Sequence, residues 1–415
     1  MTAHGIVIAG AGQAGFQTAA SLRGGGYTGP ITLLGDEPGL PYQRPPLSKA
    51  YLEHGADDRL VLRKPHFFAK HGIGIEADCR IDAIDRSRQA VMLADGRRIT
   101  YDHLVLALGA RNRGLSIAGT DLGRVIELRT LAHARHIREQ LAAAHRVVII
   151  GGGFIGLEFA TAAHKRGCAT TIVEAGDRLM ARAVCDTISA HYLAAHRQAG
   201  VDVRLGAKVS HIIGNAEGRA AGVALADGQT LDADLVLIAT GVVPNSELAA
   251  AAGLSADNGI LVDEILLTGD PAVSAVGDCA AFVHRASGKR IRLESVQNAA
   301  DQAKYVAARI LGSAQPYDTV AWFWSDQYGG KLQIAGLTAG ADEQVAHRSI
   351  NGKGLIVDCF CGSTYLGTES VDAPAEHIAA RKLLGLQPPV DKRTITEFEH
   401  DLRALAGSFL KNERA

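Results

Sequence analysis

RVVIIGGGFIGLEFATAAHKRGCATTIVE, residues 146–174, decides how the whole chain is read. Its apolar run from Val147 to Ile150 predicts a buried strand. Gly151-x-Gly153-x-x-Gly156 follows, then a helical stretch, then a second strand from Thr170 to Val173 that closes on Glu174. Gly151 permits the tight turn out of the strand, Gly153 lets the backbone approach a pyrophosphate, and Gly156 lets the helix pack closely on the sheet. The phosphates would rest at the positive end of that helix. Glu174, 23 residues beyond Gly151, is placed to accept from both ribose hydroxyls.

The chain opens with the same device, GIVIAGAGQAGFQTAASL. Ile6 to Ala9 is the strand, Gly10-x-Gly12-x-x-Gly15 the turn, and ITLLGDE the second strand, ending at Asp36. Two dinucleotide folds in one chain imply two dinucleotides. A redox pair, FAD and a nicotinamide, is the natural explanation.

The remaining bounds are consistent with that. A length of 415 residues suggests two to three domains with sizeable cores. Apolar content of 47% and a mean hydropathy near zero fit a soluble globular protein. A net charge of −1 gives no argument for nucleic acid or a membrane surface as partner. Met1-Thr2-Ala3-His4 leads straight into a strand, so no signal peptide is expected, and no apolar stretch approaches a membrane span. The cysteines at 79, 168, 185, 279, 359 and 361 show neither a zinc spacing nor a Cys-x-x-Cys pair, and no metal is expected. Cys359 and Cys361 alternate like one face of a strand and read as buried thiols. A reducing cytoplasm is the expected home.

Strands alternate with helical stretches through residue 315, the pattern of parallel α/β domains. Residues 73–99 read as a β-meander with an Ala94-Asp95-Gly96 turn. YDHLVLALGA (101–110) and ADLVLIATGVVPN (233–245) read as returning buried strands, each closing the dinucleotide fold begun upstream. AVSAVGDCA (272–280) reads as a further strand, followed by a helix from Ser295 to Leu311. From Trp322 the chain changes to strands and then two helical stretches, 375–386 and 394–410. The domains expected are an FAD-binding domain in two parts, 1–112 and 241–318, an NAD-binding domain inserted at 113–240, and a C-terminal α+β interface domain at 319–415.

Taken together, GAGQAG (10–15), RPPLSKAYL (44–52), GGGFIGLE (151–158), ATGVVPN (239–245), NGILVD (258–263), AVGDCA (275–280), ESVQNAADQA (294–303) and WFWSDQY (322–328) are highly specific. On them the chain resembles the FAD-dependent, NADH-using ferredoxin reductases of bacterial cytochrome P450 and Rieske oxygenase systems, over essentially all of its length. The resemblance implies a glutathione-reductase-like α/β fold with two Rossmann-type domains and a C-terminal α+β domain. There are departures: Ala107-Leu108-Gly109 stands where many relatives have Ala-Thr-Gly, and SVDAPAEHIAARKLL lacks an asparagine that many carry after Val-Asp.

The resemblance also assigns residues. Asp36 should accept from the adenosine ribose of FAD, Asp278 should bind the ribityl chain from a helix start, and Val296 should bring backbone N–H groups to the flavin pyrimidine. Lys49 should lie beside the flavin, paired with Glu158, as the catalytic pair. Ala14, Ile81, Arg129, Ile155 and Gly241 join the two glycine motifs as cofactor contacts. Glu174 would repel a 2′-phosphate and so favours NADH, while Arg178 or Arg182 could still hold one. Trp322 and Trp324 share a face of a strand; one covers the flavin or lines the electron exit, or both pack a domain interface.

The partner implied is an acidic [2Fe–2S] ferredoxin that docks transiently, with Arg59, Arg63, Lys64, Lys304 and Lys331 as candidate basic contacts. A disulfide reductase of this fold needs a cysteine pair where Arg44-Pro45-Pro46 stands, and an oxidase or peroxidase usually has one cysteine there. Reduction of a small quinone-like or radical acceptor, or a redox-sensing role like that of apoptosis-inducing factor, remain as alternatives.

Overall fold

The computed structural model describes residues 5–313, 315–349 and 352–412; residues 1–4, on which the absence of a leader was argued, lie outside them. The chain divides into two compact units. The first takes the chain up to Arg44, Ala56–Arg111 and Val242–Thr319, and the second Pro45–Gly55, Asn112–Gly241 and the chain from Val320 on.

The first unit is built on a five-stranded parallel sheet in the order Val273–Ala275, His103–Leu106, Ile6–Ala9, Ile31–Leu34, Ile73–Glu76. Its central strands are buried throughout because both faces are covered, which is why they read as continuous apolar runs. Helices Gln13–Gly24 and Val296–Ile310 pack on each other, and Phe16, Ala19, Leu22 and Val306 enter the same core. The meander is confined to Ile81–Asp85, Ala90–Leu93 and Arg98–Thr100; Ile73–Glu76 belongs instead to the parallel sheet, beside Ile31–Leu34. The segment 272–280 is not one strand. Val273–Ala275 ends in a 3-10 turn, Gly277–Cys279, where Gly277 at φ +77° bends the chain before Ala280–Val283 enters another sheet. Asp36 lies beyond its strand, which ends at Leu34.

The second unit repeats the parallel sheet in the order Asp202–Arg204, Ala169–Val173, Arg146–Ile150, Leu235–Ile238, Val125–Glu127. Val147 pairs with Thr170 on one side and Leu235 on the other, the counterpart of Ile6 between Ile31 and His103. The same unit holds a five-stranded antiparallel sheet in the order Trp322–Gln327, Gly330–Gly336, Thr364–Val371, Leu355–Cys361, Glu343–Arg348. Helices Pro374–Leu384 and Leu402–Asn412 bury Ala380, Leu383, Leu402 and Leu405 with Phe360 and Tyr365 of that sheet.

Two expectations for this region change. Cys361 is exposed although Cys359 is buried, because the pairing of Leu355–Cys361 with Thr364–Val371 slips between Cys359 and Phe360 and upsets the alternation. The last helical stretch is also two helices, Lys392–Glu397 and Leu402–Asn412, separated where Glu399 and His400 take left-handed backbone at φ +52° and +62°. No helix among the described residues is long and apolar enough to cross a membrane.

Candidate functional site

Each parallel sheet delivers one glycine loop to the start of one helix. In the second unit Gly151 sits at φ +115°, and a methyl group there would meet the Ala239 carbonyl. A methyl on Gly156 would meet the Gly151 carbonyl, so the helix Phe154–Lys165 can lie against the loop only without a side chain at that position. Nothing lies within 4 Å of a Cβ built on Gly153, and no side chain caps the helix there. The helix start thus faces open space without a side-chain cap, as an anionic pyrophosphate requires. Gly10, Gly12 and Gly15 repeat the arrangement in the first unit: Gly10 is at φ +113°, Gly12 is open, and Gly15 faces the Gly10 carbonyl. These features fit one dinucleotide per loop.

In the first unit Asp36 is exposed just past the second strand. Its neighbour Glu37 is committed elsewhere, accepting from Tyr42 Oη at 2.6 Å and pairing with Arg44 at 2.5 Å. Burial works against the Arg44 charge, but Tyr42, Glu37 and Asp36 outweigh it and raise its pKa. The sequence reading missed this cluster; an acid, a tyrosine and an arginine within eight positions, 37 to 44, were the available signal. Asp278 lies half-buried within the short 3-10 turn Gly277–Cys279. The cap of helix Val296–Ile310 is Ser295, whose side chain accepts from Asn298 N. Val296 is therefore the first helical residue. Ala14 approaches Gly277 closely enough that a Cβ on the glycine would lie 3.1 Å from it. Ile81 begins the meander and packs against the same core.

The second unit contains the strongest polar constellation. Glu158 lies on the first turns of helix Phe154–Lys165, and Lys49 Nζ is 2.9 Å from its Oε1, with side chains 3% and 20% exposed respectively. Ser325 Oγ donates to the same oxygen at 2.6 Å, and Ser48 Oγ to Oε2 at 2.5 Å. A carboxylate buried this deeply is tolerable only with such partners. The fold brings Lys49 and Glu158 together as read from the sequence; the two serines were missed, since neither lies at a recognisable spacing from Glu158.

Glu174 is held against its own loop, Oε2 accepting from Gly152 N at 2.6 Å and Oε1 from Gly176 N at 2.7 Å. Arg178 is not available to a phosphate, for it binds the Val184 and Ala181 carbonyls and pairs with Asp186. Arg182 is exposed, its guanidinium beside Gly241, where a Cβ would lie 3.1 Å from it. Ile155, next to the open Gly153, is 43% exposed, an unusual position for a large apolar side chain. Arg129 is half-buried between strand Val125–Glu127 and helix Leu131–Leu141. Trp322 and Trp324 do share a face, their rings 5.5 Å apart. Arg381 lies over the Trp322 ring and His377 meets it edge-on, whereas Phe323, on the other face, packs on Phe154 at 4.5 Å.

The fold also brings together Cys185 and Cys359, both free and buried. The Cys185 side chain, together with burial, pushes the Cys359 thiol far up.

The chain matches the pyridine nucleotide-disulphide oxidoreductase family over residues 4–303 and the reductase C-terminal family over 322–406. It is 49% identical to rhodocoxin reductase of Rhodococcus erythropolis over 399 residues, 96% of this chain and 93% of that protein. Among solved structures it is similar to the ferredoxin reductase for the CYP199A2 system from Rhodopseudomonas palustris, with a TM-score of 0.93 and 46% identity over 97% of this chain and 99% of that one. It is also similar to putidaredoxin reductase in its covalent complex with putidaredoxin, with a TM-score of 0.92 and 38% identity over 98% of each chain. Two glycine loops on two parallel sheets, a buried Lys49–Glu158 pair and these likenesses over nearly the full length lead to one conclusion: the chain belongs to the pyridine nucleotide-disulphide oxidoreductases, in the group of the ferredoxin reductases.

Proposed function

We propose that this chain takes electrons from NADH onto FAD and passes them singly to a [2Fe–2S] ferredoxin that serves a cytochrome P450 or Rieske oxygenase. The observation that carries the reading is the pair of matching glycine loops, each open at its middle glycine and uncapped at its helix. Bound FAD supplies the chemistry that links a two-electron hydride donor to a one-electron acceptor. We assign it to the 1–112 and 241–318 segments, held by Gly10, Gly12, Gly15, Asp36, Asp278 and Val296, and NADH to 113–240, with 319–415 as the interface domain. The reaction takes place in the cytoplasm.

The chain's own residues bind, orient and fix charge. Glu174 holds the Gly152 and Gly176 amides and keeps lone pairs for ribose hydroxyls, since a carboxylate accepts about four hydrogen bonds. Glu158 fixes the Lys49 ammonium, and Ser48 and Ser325 hold the carboxylate in turn, so the cation keeps one position as electrons arrive. Preorganised charge of this kind acts without reorganisation cost.

The purified protein should be yellow, and anaerobic NADH should bleach it and then reduce an added [2Fe–2S] ferredoxin. FAD should leave the denatured chain, since no cysteine or histidine is motif-placed to bond it; flavin that stays with the precipitate would refute this. Failure of every ferredoxin, with a neutral quinone still reduced, would favour the small-acceptor alternative.

We further propose that the ferredoxin is acidic and docks on exposed Arg59, Arg63 and Lys64. Lys304 adds little, being paired with Asp301 at 2.9 Å. Redox encounters depend on charge for their on-rate. Ferredoxin reduction should therefore slow as salt brings the Debye length below ~10 Å, while reduction of a neutral quinone holds. Lys64→Glu tests this more cleanly than Arg63→Glu, because the Arg63 guanidinium also stacks on Phe16 and Phe67. Equal loss of both activities would sink the electrostatic docking.

A further inference from the structure

His347, Asp358 and His400 stand far apart in the sequence, yet the fold places one ligand atom of each within 4.8 Å of the others. His347 Nε2 is 3.0 Å and His400 Nδ1 2.9 Å from the same oxygen, Asp358 Oδ2. We propose that these three side chains form a binding site for a divalent first-row transition ion, of which Zn2+ is the natural probe.

The elements that build the cluster are specific to it. His347 projects from the edge strand Glu343–Arg348, and Asp358 from its neighbour Leu355–Cys361. His400 comes from the break between the last two helices, at the left-handed φ of +62° noted above. Such backbone is uncommon outside glycine, though histidine is among the residues that adopt it, and the ring here meets Asp358. The other carboxylate oxygen, Oδ1, accepts from Thr368 Oγ1 at 2.6 Å. Thr368 spends its single proton there, so the Tyr365 hydroxyl, 2.5 Å away, donates to it. A relay that fixes the free oxygen of a ligating carboxylate is the outer layer a metal site needs.

The donor set suits an ion. The buried Asp358 carboxylate is held by His347, His400 and Thr368. Asp358 supplies the one carboxylate of the cluster and the two imidazoles supply nitrogen donors, a set that a divalent ion can bind. Asp358 is 0% exposed, but the His347 and His400 side chains are 24% and 17% exposed, which leaves an entry path and an open coordination position. Ligand bonds of about 2.0–2.1 Å set tetrahedral ligand atoms about 3.3 Å apart, so an ion would draw both rings back from their 3.0 and 2.9 Å contacts with Oδ2. Two imidazoles and one carboxylate suit Zn2+ and its first-row neighbours and do not suit Mg2+ or Ca2+, which take oxygen ligands. The bound ion would tie the helix break to the sheet edge and stabilise the C-terminal fold.

The test titrates the FAD-loaded protein with Zn2+ in competition with a chromophoric chelator. A Cys361→Ser background removes the exposed thiol as a competing ligand. One equivalent should bind, and His347→Gln and His400→Asn should each weaken binding at least ~10-fold, since even outer-shell partners are worth about 10- to 100-fold. Asparagine is chosen at 400 because it tolerates the left-handed backbone. Zn2+ should also raise the melting temperature of the Cys361→Ser protein but not of either histidine variant, whereas Mg2+ should do nothing. Equal Zn2+ affinity in all three proteins, or no stoichiometric binding, would overturn the site.

Discussion

Lys49→Ala is expected to slow bleaching of the flavin by NADH about 10- to 100-fold while leaving the KM for NADH nearly unchanged. The magnitude follows from charge-assisted contacts worth roughly 1.5–3 kcal/mol, at about 1.4 kcal/mol per decade. The direction follows from the proposed role. A cation needed as electrons arrive stabilises the transition state more than the bound ground state, so its removal falls on kcat. The structure adds a second consequence. Without Lys49, Glu158 keeps, among the described residues, the Ser48 and Ser325 hydroxyls for a charge that is 3% exposed. Leaving a buried charge without its counter-ion is costly, so Lys49→Ala should also lower the melting temperature. Glu158→Gln in the same background should restore part of the stability and none of the rate. A change confined to KM, measured by stopped-flow across NADH concentrations, would reassign Lys49 to docking of the nicotinamide.

Glu174→Arg is expected to raise the NADPH-to-NADH ratio of kcat/KM at least ~10-fold, by removing a ribose acceptor and adding a phosphate partner. Arg182, exposed beside Gly241, stands ready as a second cation, whereas Arg178 is locked to Asp186 and two carbonyls. The substitution also removes the acceptor of the Gly152 and Gly176 amides, so absolute rates with both nucleotides should fall. Glu174→Gln, which keeps an acceptor and loses the charge, separates the two effects: it should move the ratio less and preserve more of the rate. An unchanged ratio in Glu174→Arg would mean that another residue reads the 2′ position.

Much of this protein was legible in its sequence because its signals are local. A buried parallel strand writes itself as an apolar run, and a glycine turn followed by a helix and a terminal acid occupies under thirty residues, as in 146–174. Both Rossmann-type sheets and the two glycine loops follow from such stretches, whereas the Lys49–Glu158 pair was implied only by the family resemblance that RPPLSKAYL and GGGFIGLE carry. Interruptions inside elements were less visible. The turn at Gly277 and the break at Glu399 and His400 depend on backbone angles that many sequences tolerate, and the slip that exposes Cys361 depends on its partner strand. Least visible were contacts between segments remote in the chain. Ser48 and Ser325 reach Glu158 from 110 and 167 positions away, and His400 reaches Asp358 from 42. The composition and spacing of a sequence report which groups a chain has and how near neighbours alternate. Which carboxylate a distant hydroxyl or imidazole satisfies is decided only when sheets and helices pack, because burial makes every polar group find a partner wherever the fold supplies one.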